Sequence, residues 1–82
     1  MMETDRSQLE NGTLVRSKYD QYASVSGRSI EIKRGTMGII VNKNLGQSYD
    51  QTLNFKVRVA WEVEGNGTVN HDTYKNDLEI VT

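Results

Sequence analysis

The chain has no cysteine. Disulfides, thiolate metal sites, cysteine-held iron–sulfur clusters and cysteine nucleophiles are therefore excluded within it. Compartment does not follow from that absence. There is no proline, so no cis-proline turn exists. Histidine, tryptophan and phenylalanine each occur once, as His71, Trp61 and Phe55. No apolar run approaches the roughly 20 residues of a membrane helix. The opening Met1-Met2-Glu3-Thr4-Asp5 lacks the apolar core of a signal peptide. The expectation is a protein of the cytosol or an organelle stroma that makes no membrane contact. Asn11-Gly12-Thr13 and Asn66-Gly67-Thr68 match the glycosylation acceptor pattern, but without secretion they read as turns.

Charge of one sign is also not in excess: 82 residues carry a net −1. Its distribution is uneven. Residues 16–58 hold eight bases (Arg16, Lys18, Arg28, Lys33, Arg34, Lys43, Lys56, Arg58) against Asp20, Glu31 and Asp50, a balance of +5. Residues 59–82 hold Lys75 against Glu62, Glu64, Asp72, Asp77 and Glu79, a balance of −4. A fold that mixes the two halves in space cancels much of this.

What is present is a strand signal. In Asn54-Phe55-Lys56-Val57-Arg58-Val59-Ala60-Trp61-Glu62-Val63 every odd position from 55 to 63 is a large apolar residue. Period two marks a strand with one wet and one buried face. A helix fails, because Phe55, Val59 and Val63 would share a face without Val57 and Trp61. The β-branched and aromatic content agrees with a strand, and this one is expected at the centre of the fold.

The rest of the chain is short strands and loops. Residues 1–10 are polar and are expected to fray, which leaves residues 11–82 as one small domain with a narrow margin of stability. Thr13-Leu14-Val15-Arg16 reads as the first strand. Residues 17–29 read as a long loop. Ile30-Glu31-Ile32-Lys33 alternates briefly, as an ordered loop edge or short strand does. Met37-Gly38-Ile39-Ile40-Val41-Asn42-Lys43 reads as the second main strand, with Gly38 marking a bulge or tight bend. Residues 44–53 form a second loop. After the central strand, Glu64-Gly65-Asn66-Gly67 supplies a hairpin turn. Thr68-Val69-Asn70-His71-Asp72-Thr73 is a fourth strand and Tyr74-Lys75-Asn76-Asp77 a single turn of 3₁₀ type. Leu78-Glu79-Ile80-Val81 is the fifth strand. About five strands, two long loops, a tight hairpin and a one-turn break predict an all-β, SH3-like small barrel. Phe55, Val57, Val59 and Trp61 are expected to line it with Val15, Ile39, Val41, Leu78 and Ile80.

Catalytic chemistry finds little to stand on. His71 has only Asp72 beside it, so it reads as a hydrogen-bonded surface or half-buried histidine and not as a metal ligand. Ser24, Ser26 and Ser29 lack a nucleophile-elbow context. Gly35-Thr36-Met37-Gly38 is followed by no Gly-Lys-Ser/Thr and is no phosphate loop. The expectation is a protein that is not an enzyme and binds no metal or cofactor.

The basic residues admit two readings. Lys56 and Arg58 share the polar face of the central strand. With Arg16, Lys33, Arg34 and Lys43 they suit a phosphate backbone, and Tyr19, Tyr22 and Tyr49, in the long loops, suit base stacking. An ordinary solvated strand face, with tyrosines capping the barrel, accounts for the same residues.

Four segments together resemble one family. "GTLVRS", "IKRGTMGIIV", "NFKVRVAWE" and "VNHDTYKNDLEIV" are similar to the variable chain of ferredoxin–thioredoxin reductase. That family has a Gly-x-x-Val-Arg start and a Lys-Gly-x-x-Gly-Glu-Val middle. Its central strand ends in an aromatic, and a His precedes an acidic-Leu-Glu-Val/Ile ending. The likeness spans roughly residues 12–81 and includes His71, Asp77, Leu78 and Glu79 in order. Much of it is shared with other SH3-like barrels: the photosystem I subunit that assists ferredoxin docking, the ferredoxin-docking subunit of the photosynthetic dehydrogenase complex, and KOW and Tudor modules. The family's His-His-Pro segment has no counterpart in residues 19–30, and Asn54 stands where it has proline. The resemblance implies a cofactor-free accessory chain that binds an iron–sulfur catalytic subunit. A KOW- or Tudor-like nucleic-acid module is the alternative. Residues 17–34 and 44–54 would supply the contact surface, with Tyr19, Tyr22, Arg28, Lys33, Arg34, Tyr49, Lys56, Arg58 and His71 as the candidate partner-binding residues.

Overall fold

In a computed structural model of the chain, the structure describes residues 9–45 and 55–81. Seven strands run in order: β1 (Leu14–Ser17), β2 (Gln21–Val25), β3 (Arg28–Ile32), β4 (Met37–Asn42), β5 (Lys56–Val63), β6 (Gly67–Tyr74) and β7 (Leu78–Ile80). A 3₁₀ turn, Lys75–Asp77, separates β6 from β7. The main sheet is antiparallel with strand order β6-β5-β4-β1-β7. Its five strands, long first and second connections, tight β5–β6 hairpin and one-turn break are the layout expected of an SH3-like small barrel. Among the described residues, no helix is long and apolar enough to cross a membrane.

The first long connection carries more structure than its composition suggests. Residues 21–32 form a second, two-stranded sheet, β2–β3. Its turn is Ser26-Gly27, with φ of 52° and 79°. Two positive φ values in a two-residue loop are the type I′ signature, whose twist matches the flanking strands. Asn-Gly would have announced the turn; Ser-Gly did not. Ala23, Ile30 and Ile32 point from this hairpin into the core.

The core holds Val15, Val57, Val59, Trp61 and Leu78 as expected, with Ile80 packed at its margin. Three expected members lie outside it. Phe55 is 60% exposed and precedes the first residue of β5. Ile39 and Val41 are 46% and 45% exposed, while Gly38 and Ile40 face inward. The reason is Trp61. Gly38 is paired opposite it, and a Cβ built on Gly38 would stand 2.6 Å from Val59 Cγ1 and 2.7 Å from Trp61 Cε3. The indole fills the space that a Met37-Ile39-Val41 phase would need. Leu9, placed by its sequence in the fraying segment, is buried with the core, as is Val69.

A relay of side-chain hydrogen bonds ties the hairpin to the main sheet. Trp61 Nε1–H donates to Thr73 Oγ1 at 3.3 Å. The Thr73 hydroxyl donates to Gln21 Oε1 at 3.2 Å, Gln21 Nε2 donates to Ser17 Oγ at 2.7 Å, and the Ser17 hydroxyl donates to the Tyr19 carbonyl at 2.6 Å. Trp61, Thr73 and Ser17 are fully buried, so each donor needs a protein partner. The relay joins β5, β6, β2 and β1.

Two substitutions test this packing by denaturant midpoint. Gly38→Ala overpacks the indole and should cost about 1–3 kcal/mol. Thr73→Val keeps the side-chain shape but strands the Trp61 N–H, and should cost about 1–3 kcal/mol. A midpoint unchanged in both variants would contradict the placement of Trp61.

Candidate functional site

The candidate residues fall into three groups arranged around the β2–β3 hairpin. Beside the turn after β1, Tyr19 and Arg34 line a cleft with Lys18, Asp20 and Glu79. Tyr19 is 59% exposed. Asp20 shapes this turn, because its Oδ1 accepts the Arg34 backbone N–H at 2.8 Å. The Arg34 guanidinium takes no part in that bond.

Between the hairpin and the β5–β6 turn lies a second cleft of about 370 Å³. Arg28 and Lys33 line it from the hairpin side, Glu62 and Glu64 from the other. On β2, Tyr22 is a strand residue and not a loop residue, 61% exposed. It pairs across the hairpin with Glu31 and donates its hydroxyl to Glu31 Oε2 at 3.3 Å. The Glu31 charge holds the phenol above its ordinary pKa, helped by that hydrogen bond.

Lys56, Arg58 and His71 form the third group, with Ser24 of the hairpin and Asn70 and Asp72 of β6 beside them. The β5–β6 register sets Arg58 opposite Asp72 and Lys56 opposite Tyr74. Arg58 Nε donates to Asp72 Oδ1 at 2.8 Å and Nη2 to Oδ2 at 3.4 Å. That hydrogen bond, with the charge of Asp72, raises the Arg58 pKa. Lys56 Nζ sits 4.6 Å from the centroid of the Tyr74 ring, a cation–π contact. His71 lies opposite Val59 on the inner side of β6 and is half-buried. Burial lowers its pKa, Asp72 opposes that, and Lys56 adds to it.

Both bases on the polar face of β5 are thus engaged within the chain, Arg58 by a carboxylate and Lys56 by an aromatic ring. Two other bases grouped with it by sequence are also paired: Arg16 Nε with Glu79 Oε1 at 3.1 Å, and Lys43 Nζ with Glu10 Oε1. By contrast, Lys18, Arg28, Lys33 and Arg34 form no ion pair with a described carboxylate. Tyr49 and most of residues 44–54 lie outside the described residues. Asp72, Glu31, Asp20 and Tyr74 organise these groups, yet a reading of single segments missed them. Their partners are 14, 9, 14 and 18 positions away, and only strand register brings them together.

Among the described residues, no three of His, Cys, Asp and Glu are grouped to hold a metal ion. No family model, curated protein or solved structure matches the chain.

His71 gives this region a pH signature. Its folded pKa lies below the ordinary value of about 6.5. The unfolded chain therefore binds the proton more readily, and stability falls as pH drops below about 6.5. The stabilising term is complete above that pH. Urea midpoints between pH 7.5 and pH 5.5 should fall more in the natural protein than in His71→Gln. Equal slopes would contradict the burial of the imidazole.

Proposed function

We propose that the chain is a non-catalytic barrel that docks on a protein partner, in the manner of the variable chain of ferredoxin–thioredoxin reductase. The β2–β3 hairpin and the turns at its base make the contact, and an iron–sulfur catalytic subunit is the partner that the resemblance implies. One observation carries this reading: the division of the basic residues. A phosphate-tracking strand face needs Lys56 and Arg58 unengaged. Arg58 is held by Asp72 and Lys56 lies over Tyr74. The unpaired cations Lys18, Arg28, Lys33 and Arg34 instead surround the hairpin, with the exposed rings of Tyr19 and Tyr22. Exposed tyrosines among arginines are the composition of protein-contact anchors. A shape defined by a twisted two-stranded hairpin suits a folded partner with an acidic rim.

Tyr19 and Tyr22 also suit base stacking, so a nucleic acid bound at the same hairpin is the second reading. Salt separates the two, because each phosphate contact steepens the salt dependence.

Pull-down from a lysate of the source organism, followed by titration of the purified partner, tests the proposal. Recovery of a cysteine-rich iron–sulfur protein supports it; recovery of ribosomal or polymerase components overturns it. Lys33→Glu combined with Arg34→Glu should weaken the isolated complex about tenfold or more at unchanged circular dichroism. Lys56→Glu with Arg58→Glu should leave affinity nearly unchanged. Polarisation with mixed RNA and DNA at low salt should show no binding at tens of micromolar protein, where non-specific basic modules still bind.

A further inference from the structure

Asn-Gly occurs twice in the chain, within the identical tripeptides Asn11-Gly12-Thr13 and Asn66-Gly67-Thr68. The dipeptide is chemically weak. The amide nitrogen after an asparagine can attack its side-chain carbonyl carbon, and glycine, with no Cβ and the widest choice of backbone angles, leaves that approach open. The fold treats the two sites differently. At the first, both reacting groups are held. Gly12 N–H donates to the Ile40 carbonyl at 2.7 Å, and Ile40 N–H donates to the Thr13 carbonyl at 3.0 Å. Ile40 is buried in the core, so these bonds open only when the sheet opens. The Asn11 carboxamide oxygen accepts the Lys43 backbone N–H at 2.7 Å. At the second site, Asn66 and Gly67 are exposed on the β5–β6 turn. Asn66 N–H donates to the Val63 carbonyl at 2.9 Å, which shapes the turn but does not engage the side chain. The Asn66 carboxamide has no hydrogen-bond partner among the described residues. A Cβ built on Gly67 would meet nothing within 4 Å, so the space around the reacting bond is open. Gly67, opposite Val63, is the last rung of the β5–β6 ladder, where a ladder frays most readily.

We propose that Asn66 is a self-modifying site, converted by water to aspartate and isoaspartate while Asn11 persists. The Gly67 amide nitrogen gives its proton to hydroxide and bonds to Asn66 Cγ. The Cγ–Nδ2 bond breaks, and the departing nitrogen takes a proton from water and leaves as ammonia. A cyclic imide remains. Water then adds to one imide carbonyl and breaks its bond to the shared nitrogen. Opening at Cγ gives aspartate; opening at the backbone carbonyl gives isoaspartate, in which the main chain runs through Cβ and Cγ. The net reaction consumes a water and releases an ammonia, with no oxidant and no enzyme. Either product sets a new carboxylate on the turn beside Glu62 and Glu64, in the cleft that Arg28 and Lys33 line from the hairpin side. Isoaspartate also lengthens the backbone at the turn. This chemistry is independent of the partner docking proposed for the β2–β3 hairpin.

Trypsin separates the two sites, since it cuts after Arg6 and Arg16 around Asn11 and after Arg58 and Lys75 around Asn66. The full chain is held in warm, mildly alkaline buffer, sampled over days and mapped by mass spectrometry, beside a second sample unfolded in guanidinium chloride. In the folded chain the peptide 59–75 should gain the mass of –NH2 replaced by –OH and elute as a pair of isomers. Fragment ions should place that gain at Asn66 and not at Asn70. The peptide 7–16 should gain the same mass at least about tenfold more slowly, because Asn11 reacts only after its bonds open. In guanidinium chloride the two rates should converge. Conversion of Asn66 no faster than that of Asn11 in the folded chain overturns the proposal. So does a ratio of rates that unfolding leaves unchanged, which would assign the difference to flanking sequence and not to the fold.

Discussion

The buried indole of Trp61 sets the terms for the rest of this small fold. It is the largest fully buried side chain among the described residues, and it makes two demands. Its ring needs a neighbouring strand with no side chain opposite, which Gly38 meets. Its N–H needs an acceptor where no water reaches, which Thr73 meets. The first demand turns β4 so that Ile40 points in and Ile39 and Val41 point out. The second passes through Gln21 and Ser17 and holds the β2–β3 hairpin against the sheet. One side chain thereby decides which apolar residues are surplus to the core and where the candidate contact surface stands.

The two faces of the molecule are charged in different ways as a result. On the outer face of the sheet, cross-strand pairing matches Arg16 with Glu79 and Arg58 with Asp72. Such exposed pairs add little stability, about 0–1 kcal/mol each. Their larger effect is to leave both arginines charge-matched around an apolar centre. On the hairpin, carboxylates are occupied differently: Asp20 holds a backbone N–H and Glu31 a phenol. The nearby lysines and arginines are left to solvent or to a partner.

Much of the fold was legible in the sequence wherever one residue type had one meaning. The strict alternation of residues 57–63 gave both the strand and its inward face. The glycines around Asn66 marked the distal turn, and Tyr74-Lys75-Asn76-Asp77 marked the one-turn break. Legibility failed where the local pattern was degenerate. In Met37-Gly38-Ile39-Ile40-Val41 either phase buries apolar residues, and the phase with more of them loses because it collides with Trp61. Phe55 continued the alternation past the end of its strand. The β2–β3 hairpin was hidden by Ser26, which holds a positive φ without the asparagine that usually reports one. For the candidate site, residue types were readable but their engagement was not. Lys56 and Arg58 look alike in sequence to Lys33 and Arg34, and only the register of β5 on β6 shows that the first two are already occupied.

The pairing of β1 with β7 carries a further consequence, for the order of assembly. Val15, Arg16 and Ser17 pair with Ile80, Glu79 and Leu78, so the first strand of the sheet has one neighbour near the end of the chain. At a synthesis rate of about 5–20 residues per second, Ser17 waits about 3–12 s for Leu78. During that interval the β1 edge and the inner face beside it are open. Closure over so long a loop is also entropically slow, which places this topology toward the slower end for its size. The local β5–β6 hairpin can form first, and the chain then commits to its sheet only when its far end returns to its beginning.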